Sequence, residues 1–251
     1  MKIVVIGGSG LIGSKLVNSL LQLGHTVIPA SPQYGIDTIT GEGLGEALKG
    51  ADVVVDVSNS PSFEDRAVLG FFKRSTVNIL TAAIYAGVKH HVAISVVGAD
   101  RLPDSGYLRA KIAQEELIKE SGIPYTILRS TQFFEFAGRI AEAATIGDEV
   151  YISPAGFQPI AADEAVSALA EIAVNAPTND TVEIAGPVCM PMYEFIRYYL
   201  TEIEDSRQLV MDEHARYFGA ELTDESLVPG ETALLGKIKY EDWFQKQLET
   251  T

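Results

Sequence analysis

The chain has 251 residues, of which 47% are hydrophobic and 21% charged, so it is long enough for one large domain with a sizeable core. Its formal net charge of −15, from 19 basic and 34 acidic residues, disfavours binding to nucleic acid, which requires a basic face. The single cysteine excludes an intramolecular disulfide and a cysteine-rich metal site, and no stretch has the length of a membrane span, which favours a cytoplasmic protein without a membrane partner.

The N-terminal half alternates strand-like and helix-like segments. Short β-branched runs predict buried strands, and apolar residues at helical spacing predict the helices between them. The predicted strands, in chain order, cover 2–6, 25–30, 52–57, 91–97 and 124–129. The predicted helices between them cover 11–24 with Gly24 as the stop, the short segment that ends at Gly50, 63–86, and a segment that runs to about Ser121. Such alternation is typical of βαβ units, so we predict an α/β Rossmann-type doubly wound fold with a parallel sheet.

The pattern becomes less regular after residue 130. Helices are predicted within 162–177 and 192–204, with a strand at 180–186 between them. No linker-like segment separates the two parts of the chain. We therefore predict a nucleotide-binding body over 1–130 and, continuous with it, a smaller C-terminal lobe over 131–251 that binds the substrate.

Glycines fill the loop between the first strand and the first helix. The segment "VVIGGSGLIGSKL" satisfies both G-x-G-x-x-G and G-x-x-G-x-x-G. Early glycines allow a sharp turn and close approach to a pyrophosphate, and the helix N-terminus presents N–H groups and a positive dipole end. We predict a dinucleotide site here, the alternative being a tight turn without a ligand. The predicted cofactor-binding residues are Gly7, Ser9, Gly10, Leu11, Ile12 and Gly13.

The second strand ends without an acidic residue. A carboxylate at this place binds the ribose 2′-hydroxyl of NAD, whereas "IPASPQYG" places Ser31 near it. The missing carboxylate removes the repulsion against a 2′-phosphate, although no arginine stands there to bind one. The sequence therefore favours NADP(H) over NAD(H), with Ser31 at the cofactor.

Ser95 lies near the end of the strand at 91–97, and Tyr107 and Lys111 lie four residues apart on the next helix, on one face. Ligands of open α/β sheets bind beyond the carboxyl ends of the strands, close to all three residues. Hydride addition to a carbonyl requires an acid, and an ammonium group with an oxidised nicotinamide would lower the pKa of a neighbouring phenol. We predict Tyr107 as proton donor, Lys111 as its activator and ribose ligand, and Ser95 as the carbonyl-orienting group. Inert surface residues are the alternative interpretation.

With these motifs the chain resembles the short-chain dehydrogenase/reductase superfamily, in its extended or atypical branch, and most of all the NmrA-like NAD(P)-binding reductases. The resemblance rests on "GGSGLIG", "VVVDVSNS", the serine, tyrosine and lysine series, and "SGIPYTILRSTQFFEF", and it covers 1–136 well. It implies that Ser58 and Asn59 line the cofactor ribose and that Gln132 and Phe133 lie against the nicotinamide. The segment "SNSPS" departs from the usual Asn-Ala-Gly type, which leaves the ribose contacts open.

We predict an NAD(P)H-dependent reductase that acts on a small or aromatic carbonyl or quinone-type substrate. Two alternatives stay open: a redox-sensing NAD(P)-binding regulator without catalysis, and a sugar-nucleotide epimerase or dehydratase, for which the C-terminal lobe leaves little room. No metal site is expected, because His90 and His91 are adjacent on a strand and point to opposite faces; we expect both at the surface. A homo-oligomer is compatible with the sequence.

Overall fold

The computed structural model describes residues 1–250 of the chain. Its strands and helices alternate through the first half as predicted. The helices are α1 (Leu11–Gln22), α2 (Leu44–Leu48), α3 (Asp65–Ala86), α4 (Gly106–Glu120), α5 (Ala137–Ala143), α6 (Ala162–Val174), α7 (Met192–Glu202) and α8 (Tyr240–Thr250). The strands are β1 (Lys2–Ile6), β2 (Thr26–Ala30), β3 (Val53–Asp56), β4 (His90–Val96), β5 (Tyr125–Ser130), β6 (Thr145–Ile146), β7 (Glu149–Ile152), β8 (Gly156–Phe157), β9 (Asp180–Ala185), β10 (Met190–Pro191), β11 (Gln208–Met211), β12 (Arg216–Tyr217), β13 (Ala220–Glu221) and β14 (Leu234–Leu235).

Within the described residues, seven strands form one sheet in the order β14-β9-β5-β4-β3-β1-β2. The pairs β1–β2, β1–β3, β3–β4 and β9–β14 are parallel. From β1 the chain passes to β2 on one side and then to β3 on the other, which leaves a crevice at the carboxyl ends of β1 and β3. This topology confirms the predicted Rossmann-type doubly wound α/β fold.

Apolar spacing and glycine stops account for the helices of the first half. In α1, Leu16 and Leu20 lie one helical turn apart and are buried, and Gly24 follows in the left-handed conformation with φ +81°. In α3, the Glu64 carboxylate caps the helix by accepting hydrogen bonds from the first-turn main chain, and Gly87 with φ +71° ends it. Both helices therefore begin and end close to the predicted positions.

Internal contacts divide the chain into two units that alternate along the sequence. The first comprises 1–95, 106–129 and 163–182, and the second comprises 96–105, 130–162 and the chain from Glu183 onward. The glycine loop and the predicted serine, tyrosine and lysine all belong to the first unit. The domain boundary after residue 130 and the substrate role of the later segment stay predictions.

Aromatic rings form much of the core of the second unit. The Tyr240 ring lies 4.3 Å from that of Phe195 and 5.0 Å from that of Phe134, and it stacks on Trp243 at 5.9 Å. Such ring pairs add to the free energy gained from the buried area alone. Helix α8 is therefore anchored by its aromatic residues.

The prediction that His90 and His91 lie at the surface is wrong. Their exposed fractions are 3% and 0%, because β4 is a central strand with further strands on both of its edges. The His90 ring nitrogen Nε2 lies 3.0 Å from the Thr126 hydroxyl, whereas neither His91 ring nitrogen has a hydrogen-bond partner within residues 1–250. Burial lowers the pKa of both imidazoles to about 4.

We expect the free energy of unfolding to fall as the pH is lowered from about 6.5 towards 4. Both histidines have folded-state pKa values below the ordinary value, so the unfolded chain takes up protons first and gains population in this window. Urea unfolding across the window should show a loss on the order of a few kcal/mol. His91→Gln should reduce the dependence by about half, because His90 keeps its own lowered pKa. Equal stability at both ends of the window would contradict the expectation.

Candidate functional site

The glycine loop is too tight to accept side chains at its turning points. Gly7 has φ +79°, and its carbonyl accepts a hydrogen bond of 2.9 Å from the main-chain nitrogen of Gly10. A Cβ on Gly13 would lie 2.0 Å from the Gly7 carbonyl oxygen, which no real side chain tolerates. The first turn of α1 therefore lies so close to the loop that the third position of the motif, Gly13, must be glycine, as the motif predicts.

The same loop exposes main chain at the start of α1. Ser9, Gly10 and Leu11 are exposed, whereas the side chain of Ile12 is buried beneath them. The first turn of this helix holds no acidic residue, so its N–H groups and positive dipole end are not countered by a carboxylate. This arrangement fits the pyrophosphate of a dinucleotide.

The loops after β2 and β3 place the other predicted cofactor-binding residues. A Cβ on Gly7 would lie 2.9 Å from the Cα of Ser58, so the loop after β3 packs directly on the glycine loop. Asn59, which follows, is exposed, and its side-chain oxygen accepts a hydrogen bond of 2.9 Å from Ser60. Ser31 is 5% exposed, and its hydroxyl has no hydrogen-bond partner within the described part of the chain. An unpaired buried hydroxyl beside a cradle without side chains fits a bound dinucleotide.

Tyr107 lies at the start of α4, and its ring contacts two phenylalanines. The ring centroids of Phe63 and Phe72 are 5.4 and 6.2 Å from it. Although the residue as a whole is half-buried, burial of its hydroxyl raises the pKa of Tyr107 to about 12. The sequence predicts that the neighbouring ammonium and an oxidised nicotinamide lower this pKa, whereas burial of the hydroxyl raises it.

Lys111 is 2% exposed and turns its ammonium group into the protein. Its Nζ donates a hydrogen bond of 2.8 Å to the Ile94 carbonyl and a second to the Gln114 side-chain oxygen, and it lies 4.5 Å from the Phe72 ring centroid. Burial lowers the pKa of Lys111 to about 8, against the opposing charges of Asp56 and Glu115. Tyr107 and Lys111 therefore share the face of α4 that packs on Phe72, as the four-residue spacing predicted.

Ser95 lies on β4, next to the carbonyl that Lys111 contacts. It is 3% exposed, and its hydroxyl makes no hydrogen bond of standard geometry with any residue in 1–250. The same hydroxyl nevertheless helps to lower the pKa of the Glu115 carboxyl. Burial acts to raise the pKa of the Glu115 carboxyl, but two hydrogen bonds of 2.9 Å from Arg129 outweigh it and hold this pKa below its usual range. Ser95 is therefore placed beside a charged pair that stays ionised at neutral pH.

Two residues in this network, Asp56 and Gln114, were not predicted from the sequence. The Gln114 side-chain nitrogen donates a hydrogen bond of 2.9 Å to one Asp56 oxygen, and the other accepts bonds of 3.0 and 2.6 Å from the Ser58 main chain and hydroxyl. A signal existed in the acid that ends the apolar run "VVVD" and in a glutamine three residues after Lys111.

Gln132 and Phe133 belong to the second unit. Gln132 is 7% exposed, and neither polar atom of its side-chain amide has a hydrogen-bond partner within residues 1–250. Its main-chain oxygen accepts a hydrogen bond of 2.8 Å from Ile160. Phe133 is 8% exposed, with its ring 5.6 Å from that of Phe136. Their predicted position against a nicotinamide stays a prediction.

Comparison with known proteins identifies a nucleotide-binding region. Residues 35–150 match a family model described as NAD(P)H-binding. Over 149 residues the chain is 25% identical to the photosystem II assembly factor Ycf39 of Synechocystis sp., an alignment covering 54% of this chain and 46% of the relative. Over 144 residues it is 25% identical to (4-alkanoyl-5-oxo-2,5-dihydrofuran-3-yl)methyl phosphate reductase of Streptomyces griseus, covering 52% and 48%. The chain spans about half the length of the curated relatives it matches.

Solved structures share the fold over most of the chain. An NADPH-dependent quinone oxidoreductase (QOR2) from Escherichia coli superposes with a TM-score of 0.63 at 20% identity, covering 85% of this chain and 78% of that one. A UDP-N-acetylglucosamine 4-epimerase from Bacillus cereus superposes with a TM-score of 0.73 at 18% identity, covering 100% and 97%. At these identities the likeness establishes the shared fold alone.

Neither a membrane helix nor a metal centre was found within residues 1–250. None of the helices there combines the length and the apolar character that crossing a membrane requires. The same residues contain no group of three or more His, Cys, Asp or Glu side chains that could hold a metal ion.

Proposed function

Because the chain contains an NAD(P)-binding domain with homologues in the extended, NmrA-like branch of the short-chain dehydrogenases/reductases, we propose that it is an NAD(P)H-dependent reductase. The proposed acceptor is a small or aromatic carbonyl compound or a quinone. NADPH is proposed as the preferred cofactor, because no carboxylate follows β2 to repel a 2′-phosphate and Ser31 offers a hydroxyl there.

The convergence of Tyr107 and Lys111 on one side of α4 is the observation that carries this proposal. Both pack on Phe72, and the Lys111 ammonium contacts the main chain next to Ser95. The glycine loop of the same unit fits a dinucleotide. A cofactor site and a group able to donate a proton are the two requirements for reducing a carbonyl.

Each residue would have a separate task. A bound reduced nicotinamide would supply the hydride. The Tyr107 hydroxyl would donate the proton to the acceptor oxygen, and its raised pKa keeps it protonated at neutral pH, which is the form that proton donation requires. The Ser95 hydroxyl would orient the acceptor oxygen by a hydrogen bond. The positive charge of Lys111 would favour the tyrosinate that forms and, in the proposed complex, the ammonium would contact the cofactor ribose.

Thermal unfolding with NADPH and with NADH tests the proposal first. A ligand at 100 times its dissociation constant stabilises a protein by ~2.7 kcal/mol, so we expect a clear rise of the Tm with NADPH and a smaller one with NADH. Loss of reduced cofactor in the presence of quinones and aromatic aldehydes should then identify the acceptor class. Absence of a Tm shift with either cofactor would overturn the proposal.

A second candidate function is a cofactor-binding regulator that performs no turnover. It is favoured by the burial of Lys111, whose ammonium group is satisfied by contacts within the protein. The relative Ycf39 is likewise described as an assembly factor. This candidate predicts that NADPH raises the Tm while no acceptor is reduced, and that replacing Tyr107 changes neither.

A further inference from the structure

The Gln114 side-chain amide lies between a buried carboxylate and a buried ammonium. Gln114 and Asp56 are each 1% exposed, and Lys111 is 2% exposed. The amide nitrogen donates to Asp56 Oδ2 at 2.9 Å, and the amide oxygen accepts from Lys111 Nζ. Because the Asp56 carboxylate can only accept a hydrogen bond and the Lys111 ammonium can only donate one, the two groups together determine the orientation of the Gln114 amide.

We propose that Gln114 and Asp56 are positioning residues that hold the Lys111 ammonium in its charged form and direct it towards β4. The relevance of this arrangement to a reaction rests on the proposed function, whereas the arrangement itself does not. A buried ammonium is costly unless every N–H group has a partner. The Ile94 carbonyl, the Gln114 amide oxygen and the Phe72 ring face supply three such partners.

Asp56 acts on Lys111 through an intervening amide rather than by direct pairing. A direct ion pair would bind the ammonium to the carboxylate and withdraw it from β4, whereas the amide transmits the polarisation and leaves the ammonium beside Ile94. The second Asp56 oxygen is held by the Ser58 main chain and hydroxyl. A continuous series of hydrogen bonds thus connects Ser58, which is predicted to line the cofactor ribose, with the predicted catalytic residue Lys111.

Tyr107 shares the face of α4 that carries Lys111 and stays neutral while Lys111 titrates, because burial raises the pKa of Tyr107 to about 12. Asp56 on β3 and Glu115 on α4 both favour the ammonium form, and Phe72 on α3 is uncharged. On β4, His91 interacts with Asp56 and has a pKa near 4, so it stays neutral above about pH 6. A titration of Lys111 in the alkaline range is therefore free of histidine protonation.

The test follows the titration of Lys111 in the full chain without cofactor, by nuclear magnetic resonance of ¹³C-labelled lysine side chains. The signal is assigned by its loss in Lys111→Arg. Asp56→Asn should lower the proton affinity of Lys111 about tenfold or more, which is about one pH unit in its midpoint. Glu116→Gln removes an exposed carboxylate from the same helix and serves as the matched control, with no expected change.

A second variant tests the role of the amide. Gln114→Met keeps the approximate volume and removes both hydrogen bonds, so it should also lower the midpoint, and Asp56→Asn added to it should then have less than half its usual effect. An unchanged midpoint in Asp56→Asn, a raised one in Gln114→Met, or equal effects of Asp56→Asn in both backgrounds would overturn the proposal. If Asp56→Asn does not fold, the Lys111 midpoint in Gln114→Met decides alone: a lowered midpoint supports the proposal, and an unchanged or raised one overturns it.

These measurements require neither cofactor nor acceptor, so their failure would reject the positioning network and leave the reductase proposal standing. Conversely, absence of cofactor binding would reject the reductase proposal without affecting them. If the wild-type protein reduces an acceptor, Asp56→Asn should also move the alkaline limb of its pH–rate profile to lower pH, in step with the Lys111 midpoint.

Discussion

Replacing Tyr107 with phenylalanine should lower turnover about 100- to 10,000-fold, the range that a general acid contributes, while cofactor affinity stays nearly unchanged. The substitution removes one hydroxyl and keeps the ring contacts with Phe63 and Phe72, so α4 should keep its place. Turnover is measured with the acceptor that supports cofactor oxidation best, and cofactor affinity by thermal shift or calorimetry.

Tyr125→Phe is the matched control, because this half-buried tyrosine lies on β5 and packs against the core cluster of the same unit. It should leave turnover unchanged. Wild-type turnover in Tyr107→Phe would show that Tyr107 is not the proton donor. A parallel loss of cofactor affinity would instead show that the substitution disturbs the cofactor site as a whole.

Gly13→Ala should weaken both cofactor binding and the fold. The new Cβ would lie 2.0 Å from the Gly7 oxygen and 2.8 Å from the Gly8 Cα, so main chain must move on at least one side. Forcing atoms into a packed region costs about 1–3 kcal/mol. The displaced loop should bind NADPH about tenfold more weakly or worse, because its N–H groups no longer converge on one place. Chemical unfolding and cofactor titration measure the two effects.

Gly45→Ala provides the control for Gly13→Ala. Gly45 lies in α2, and a Cβ there meets no atom within 4 Å. Alanine should therefore stabilise this helix by up to about 1 kcal/mol and leave cofactor binding unchanged. A Gly13→Ala protein with wild-type stability would mean that the approach between the loop and the helix is not a constraint on this chain.

The fold could be predicted from the sequence because its determinants are local. The β-branched run at 2–6, the stripe of Leu16 and Leu20, and the positive-φ stop at Gly24 each depend on a few neighbouring residues. The surface assignment of His91 failed for the opposite reason. Its burial results from the central position of β4, which depends on strand pairing across distant parts of the chain.

In the candidate site, too, the features that depend on neighbouring residues could be predicted, and those that depend on distant parts of the chain could not. The positions of Tyr107 and Lys111 on one helix face follow from their spacing, whereas the direction of the Tyr107 pKa shift depends on the burial of its hydroxyl and could not be read from spacing. The contact between Gln114 and Asp56 joins residues 58 positions apart, and only the alignment of α4 with the end of β3 brings them together.

The alternation of the two units along the chain affects the order in which the protein can mature during synthesis. The unit that carries the glycine loop also requires residues 163–182, which follow a long stretch belonging to the other unit. Domains generally fold as units as the chain emerges, at about 5–20 residues per second. The unit that carries the glycine loop therefore cannot be completed on the ribosome until residue 182 has emerged, which is after residues 96–105 and 130–162 of the other unit have been synthesised.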